Sequence, residues 1–166
     1  MKTRRYSIKS KDSKRFFIEI SKRFHYDFEL LFSFKSRVEI FDIGSGQLYL
    51  IEGKPLFFKI SKLVMPTLLF DQFHSTLPTI VVDMGAVPFV CKGANIMVPG
   101  IVRVENEFEK DELVLIIDEK HSKPLAIGNS LYSSNEIRKM KQGIVIKNLH
   151  FVSDKIWIAA KALISK

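Results

Sequence analysis

The stretch that most restricts this chain runs from Val82 to Ile101. Its twenty residues carry three glycines and two prolines, so neither a long helix nor a long strand fits there. Asp83, placed before Met84-Gly85-Ala86, suits the N-cap of a one-turn helix, because its carboxylate accepts from the exposed first amides. Gly93-Ala94-Asn95 is small enough to let a second backbone or a phosphate approach, and Gly93 is free to supply a positive φ. Pro99-Gly100 turns the chain into the next segment. Consecutive amides beside Lys92 would form an anion-binding concavity. A barrel corner packed for purely structural reasons accounts for the same residues, and composition alone favours it.

The surroundings of this stretch are short and strand-like. Residues 79–82, 88–91, 113–117, 125–127, 143–146 and 156–159 are apolar or β-branched, at spacings of roughly ten residues. With one brief helix at 134–140, this pattern indicates a compact β-barrel rather than a parallel sheet. Before residue 78 the texture differs. Phe16, Phe17, Ile20 and Phe24 recur at helical spacing. Segments 38–43, 47–51 and 56–60 are separated by Gly44-Ser45-Gly46 and Gly53-Lys54-Pro55, which predicts a meander of hairpins. Residues 63–73 are apolar with Pro66 inside, and a helix starting near Pro66 is expected. The 14 phenylalanines, dense between Phe16 and Phe73, are read as core. Ser75-Thr76-Leu77-Pro78 is the expected boundary. The fold class is therefore α+β: a small N-terminal α+β domain, residues 1–77, then a β-barrel domain with short helices, residues 78–166.

Charge points to the class of partner. Lys and Arg number 26 against 18 Asp and Glu, a net +8 with pI near 9.6. Such an excess favours polyanions, nucleic acid before acidic membrane surfaces. Residues 1–23 hold nine basic side chains against Asp12 and Glu19, so the excess is concentrated there. Arg4, Arg5, Lys14, Arg15, Lys22 and Arg23 form the candidate basic N-terminal patch. A merely solvated helix face explains the helical part of this pattern equally well.

The remaining signals mostly exclude. Cys91 is the lone cysteine, so no intramolecular disulfide or multi-cysteine zinc site exists, and a reduced, intracellular setting is expected. On a strand it would act as a small hydrophobe. No signal-type segment and no bilayer-length apolar run is present, which gives an expectation of a cytoplasmic protein that does not use membranes. His25, His74, His121 and His150 lack metal-ligand spacing, and His150 is read as a packed structural residue. Glu105, Glu107, Glu109, Asp111, Glu112, Asp118 and Glu119 are read as a solvated hairpin, and Trp157 as a plug of the barrel core. No catalytic residues, metal or cofactor are expected.

Taken together, Val82-Asp83-x-Gly85-Ala86, Phe89-Val90, Gly93-Ala94-Asn95-Ile96-Met97 and Pro99-Gly100 resemble the opening of a PUA domain, the module named for pseudouridine synthases and archaeosine transglycosylases. Leu125-Ala126-Ile127-Gly128, the 134–140 helix, Lys141-Gln142-Gly143-Ile144, Asn148-Leu149-His150-Phe151 and Asp154-x-x-Trp157 follow in the order of that family. Gly93–Met97 with Asn148–Phe151 is further similar to the malignant-T-cell-amplified-sequence proteins, which place a small α+β domain before a PUA domain. Leu48–Glu52, Pro55–Phe58 and Met65-Pro66-Thr67-Leu68 sit where those proteins have a hairpin and a Pro-Thr-Leu segment, whereas agreement over the first 35 residues is positional only.

The resemblance implies a non-catalytic RNA-binding protein of translation, binding tRNA, its acceptor end included, or the RNA of the small ribosomal subunit, at initiation or recycling. In eukaryotic members it also implies a translation-factor partner protein. Carried over position by position, the RNA groove would comprise Ala86, Lys92, Gly93, Ala94, Asn95 and Gly100, with Gly128 and Asn129 on the facing strand. The alternative is an accessory protein of tRNA or rRNA modification. A protein-docking role for the phenylalanine-rich N-terminal domain is compatible with the first of these readings.

Overall fold

The amphipathic stripe of the N-terminal segment forms the expected helix. A computed structural model describes residues 4–165; Lys2 of the basic cluster lies outside the described residues. The first strand, β1 (Arg5–Ser7), leads into helix α1 (Ser10–Phe24), which buries Phe16, Phe17 and Ile20 and ends at His25 in the left-handed region (φ 51°). Four antiparallel strands follow: β2 (Val38–Asp42), β3 (Gln47–Ile51), β4 (Lys54–Ile60) and β5 (Leu63–Pro66). With β1 they form one meander in the order β1-β2-β3-β4-β5. The Gly44–Gly46 turn closes the β2–β3 hairpin, with Asp42 opposite Gln47.

Phe57 of β4 is fully buried and holds the aromatic core together. Its ring meets Phe16 and Phe28 edge-on, at centroid distances of 5.7 and 5.4 Å. Such edge-to-face pairs add to what area burial alone contributes.

One expectation fails here. Residues 63–66 continue the sheet as β5 instead of starting a helix, and Pro66 is accommodated because β5 is an edge strand with β4 as its sole neighbour. Helix α2 is confined to Asp71–His74.

The second unit is built on a six-stranded sheet. Its members are β6 (Thr79–Val82), β7 (Ile96–Met97), β8 (Ile101–Glu105), β9 (Leu113–Asp118), β10 (Pro124–Ser130) and β11 (Ile144–Phe151). Their order is β7-β11-β10-β9-β6-β8, and only β6 and β9 run parallel. Register breaks within the β9–β10, β10–β11 and β6–β8 pairings let the sheet curl into a half-barrel. Ile80, Val82, Val114, Ile116, Ala126, Val145 and Ile146 fill its core. Helix α4 (Ser134–Lys139) is capped by the Ser133 hydroxyl, which accepts from the Glu136 amide.

Two segments expected as strands are helical. Val87–Val90 forms α3, because Pro88 sits in its first turn where no amide partner is needed. Helix α5 occupies Lys155–Ile164, with Trp157 half-buried on it rather than plugging the barrel from a strand. The acidic stretch is also more structured than a solvated hairpin. Asp118 is buried and accepts from the amides of Lys120 and Lys123, closing the β9–β10 turn. Glu107 binds Arg138 at 2.6 Å and the Ser134 hydroxyl at 2.9 Å.

The chain divides into two compact units, residues up to Thr67 with those from Ala159 onward, and Leu68–Ile158. That division precedes the expected boundary at 77/78 because Leu68 is tied to the second unit. Its N–H donates to Nε2 of the buried His150 at 3.1 Å. Nδ1 of His150 then carries the proton and faces the Asp154 carboxylate at 2.7 Å. Asp154 also accepts from the amides of Phe151 (2.9 Å) and Trp157 (2.7 Å), the latter capping α5.

Burial pushes the Asp154 carboxyl upward, but the hydrogen bonds from His150, Trp157 and Phe151 more than offset this and hold it below the usual range. A carboxyl depressed in the folded state contributes stability above its unfolded value of about 3.9, and this is lost as pH falls through the folded value. Asp154→Asn is therefore expected to cost about 1–3 kcal/mol at neutral pH and to flatten the acid limb of the stability profile. Denaturant titrations from neutral to acidic pH check both.

Candidate nucleic-acid interface

The Asp83–Gly100 stretch folds back on itself. Asp83 accepts from the Ala86 amide at 2.8 Å, and its own N–H donates to the Gly100 carbonyl at 2.9 Å. Ala86 and Gly100 are thereby brought together: a Cβ added to Gly100 would lie 3.2 Å from the Ala86 Cβ. Asp83 closes the turn that precedes α3, so the helix begins one turn later than the sequence suggests.

The expected cluster of free amides beside Lys92 does not form. The N–H groups of Cys91, Lys92, Gly93 and Ala94 donate to the carbonyls of Val87, Phe89, Val90 and Phe89. They belong to the C-terminal end of α3, where carbonyls rather than amides lack partners. Any anion held here must be held by side chains. Cys91 sits at that helix end, half-buried, not on a strand. Burial pushes its thiol up, partly opposed by Lys123, so it is kept from the thiolate form.

What holds the Lys92–Asn95 loop is β11. Asn148 donates from Nδ2 to the carbonyls of Val90 (3.1 Å) and Ala94 (3.0 Å), while its N–H donates to Oδ1 of Asn95 (3.0 Å). Gly93 takes φ +93°, and a Cβ there would lie 2.9 Å from the Phe151 ring. Asn95 and Gly93 are thus structural members of the loop. Lys92, Ala94 and Asn95 nevertheless stay exposed, and Lys92 forms no ion pair among the described residues.

On β10, Gly128 is buried opposite Asn148, and a Cβ would come within 2.4 Å of Ile146 and 2.8 Å of the Lys147 carbonyl. Its role is close packing. The half-buried Asn129 is paired with Lys147 across the sheet, and its Nδ2 lies 3.4 Å from Asp111. Sequence reasoning passed over two exposed lysines, Lys123 and Lys147. The electrostatic effect of Lys123 on Cys91 places it near the Lys92 loop, and Lys147 adjoins Asn148 on β11. No local motif marks either; only the sheet register does.

In the first unit, Arg4, Arg5, Lys14, Arg15, Lys22 and Arg23 are all exposed. Arg5 is not free, since it and Arg37 bind the buried Glu39 and hold that carboxyl below its usual range. Arg4, Lys14 and Arg23 lie over the rings of Tyr6, Phe34 and Phe24, which leaves their charge facing water. Among the described residues, no three His, Cys, Asp or Glu side chains are grouped to hold a metal, and no helix is long and apolar enough to cross a membrane.

Comparison with known proteins assigns both units. The family described as PUA domain matches residues 78–152, and a domain of unknown function, DUF1947, matches residues 4–71. A Methanocaldococcus jannaschii protein described as uncharacterized is 35% identical, over 93% of this chain and 95% of its own length. Translation machinery-associated protein 20 of Saccharomyces cerevisiae is 34% identical, over 74% of this chain and 72% of its own. This chain belongs to that family. Human Malignant T-cell-amplified sequence 2 is 35% identical over 64% of this chain and 62% of its own length. A Pyrococcus horikoshii hypothetical protein of known structure superposes with a TM-score of 0.77 at 26% identity, covering 95% of this chain and 99% of that one. The expected pairing of a small domain with a PUA domain is thus present.

The loop geometry makes Asn148 and Gly93 stability residues. Asn148→Ala leaves the Val90 and Ala94 carbonyls unpaired and is expected to cost about 1–3 kcal/mol. Gly93→Ala, with a disfavoured φ and a clash against Phe151, is expected to cost at least as much. Thermal unfolding of both variants, against Lys92→Ala with an unchanged midpoint, checks this assignment.

Proposed function

We propose that this protein is a non-catalytic RNA-binding protein of translation, which attaches in the cytoplasm to tRNA or to the RNA of the small ribosomal subunit. The observation that carries this reading is the rigid, exposed Lys92–Asn95 loop, pinned by Asn148 beside the lysines of β11 and the β9–β10 turn. The membership of the chain in the family of Translation machinery-associated protein 20 supports the setting. Lys92 meets a phosphate as a point charge, aided by Lys123 and Lys147. Ala94 and the outer edge of Asn95 lie against ribose or base, and Ala86 and Gly100 form the floor of the groove. Gly93, Gly128 and Asn129 shape it from within. Exposed single-stranded ends suit such a groove, because base edges in A-form helices are poorly accessible.

The basic face of α1 adds sequence-independent attraction through Lys14, Arg15, Lys22 and Arg23, so two surfaces share the RNA. A translation-factor partner protein fits the same setting. Burial keeps the Cys91 thiol protonated and therefore a weak nucleophile, which supports binding over catalysis at this loop.

Binding carried by phosphate contacts must weaken with salt, by roughly 0.7 in log K per contact and per log unit of salt on single strands. Lys92→Glu is expected to lower affinity for a tRNA and to reduce that slope by about one, with the unfolding midpoint unchanged. Reversing Lys14, Arg15, Lys22 and Arg23 together should flatten it further. Filter-binding titrations across a salt series measure both, and affinity indifferent to salt would remove the mechanism. A new modified nucleoside in the incubated tRNA would instead make the protein an enzyme.

A further inference from the structure

The first unit contains a recess that the account so far leaves unused. Tyr6, Ile40 and Tyr49 stand directly opposite one another on β1, β2 and β3, so their side chains share one face of the sheet. Helix α1 lies across from them and presents Asp12, Arg15, Phe16 and Glu19, residues three and four apart along one stripe. Between floor and wall is a cleft of about 290 Å³. That is near the lower end for small-ligand pockets and suits one planar heterocycle.

Tyr49 is 8% exposed, with its ring stacked on Phe16 at 4.5 Å and 6°. Its ring is buried, but its hydroxyl opens to the cleft, with no hydrogen bond to a described side chain. Burial, with Tyr6 and Glu19 nearby, pushes this phenol up, so it remains a donor at neutral pH. Asp12, Arg15 and Glu19 form no ion pair among the described residues, even though opposite charges share the wall. A tyrosine hydroxyl, two carboxylates and a guanidinium thus line one cleft, with Glu19 also within electrostatic range of Arg23.

The combination selects among ligands. A cationic side chain from a partner would satisfy the carboxylates but would meet Arg15, and the exposed Arg4, Lys9 and Lys11 are near neighbours in the chain of the lining residues Tyr6, Ile8 and Asp12. Those same cations favour a ligand that carries phosphates. Among the bases, guanine alone offers two adjacent N–H donors, N1 and N2, beside two adjacent acceptors, O6 and N7. The donors match a carboxylate and the acceptors match an arginine fork. Adenine and uracil lack both pairs, and cytosine lacks the adjacent donors. Tyr6, 37% exposed under Arg4, supplies a face for stacking at the mouth.

We infer that the cleft between α1 and the β1–β3 face binds one unpaired guanine of an RNA, with Glu19 or Asp12 accepting from its Watson–Crick edge, Arg15 donating to O6 and N7, and Tyr49 donating to the base. This inference rests on the RNA-binding reading but adds Tyr6, Asp12, Glu19 and Tyr49, which that reading leaves out, and shares only Arg15 with it.

The test uses the full chain and three single-stranded pentamers, UUGUU, UUAUU and UUUUU, followed by fluorescence anisotropy. UUGUU should bind about tenfold more tightly than the other two, the discrimination expected of one good bidentate base contact. Tyr49→Phe and Glu19→Gln should each reduce that preference at least threefold while leaving UUUUU binding and the unfolding midpoint unchanged. Lys92→Glu should weaken all three pentamers equally and leave the preference intact. Equal affinity for the three, or a preference that survives both cleft variants, overturns the guanine site. A guanine preference that persists while Lys92→Glu has no effect supports the cleft and removes the Lys92 groove instead. Absence of binding to any pentamer overturns both. Displacement of UUGUU by an arginine-rich peptide at equal concentration, abolished by Glu19→Gln, reassigns the cleft to a protein partner and overturns the proposal.

Discussion

Asn148 directs both of its amide protons to carbonyls of another segment, Val90 and Ala94, and its own N–H to the side chain of Asn95. This one residue converts a loop of small residues after a one-turn helix into a fixed surface. The loop cannot hold itself: α3 spans four residues, and isolated helices so short do not persist in water. With β11 as its anchor, it becomes as rigid as the sheet beneath it. The Phe151 ring under Gly93 and the Asp83 contacts to Ala86 and Gly100 complete the frame. A rigid presentation matters for RNA because every contact made by an already ordered loop avoids an entropy cost at binding.

The second constraint is the separation of charge. In the second unit ten Lys and Arg, among them the exposed Lys92, Lys123 and Lys147, are balanced by eleven Asp and Glu, whereas the first carries the dense cationic face of α1. Several N-terminal cations are held over aromatic rings or, like Arg5, bound to Glu39. The field they generate is long-ranged but carries no sequence information. In the proposed reading, selectivity comes from shaped sites, the groove beside the loop and the recess under α1.

The sequence was informative wherever a pattern had one physical outcome. The stripe of Phe16, Phe17 and Ile20 forms one helix face, the glycine-punctuated hairpins form the meander, and the residues resembling a PUA domain lie on a curled half-barrel. It misled where local propensity competed with tertiary context. Residues 63–66 are apolar around a proline, yet an open edge beside β4 draws them into the sheet. Residues 156–159 look like a strand, but the Asp154 cap starts a helix there. Val87–Val90 reads as β-branched and aromatic, but Pro88 after the Asp83 turn starts a helical turn. In the candidate site, Lys92, Ala94 and Asn95 were visible as an exposed motif. The engagement of their amides in α3 was not, because it depends on hydrogen bonds that close only once the turn has formed. Lys123 and Lys147 join the surface through strand register, which no local pattern records.

The most direct test of the central claim is photo-crosslinking of the full chain to RNA, with the crosslinked peptides identified by mass spectrometry. Crosslinks are expected in the peptide containing Lys92–Asn95 and in those of α1 that contain Lys14 and Arg15. Crosslinks confined to the β8 edge and the acidic 105–112 segment, with none in the loop or α1, would contradict it.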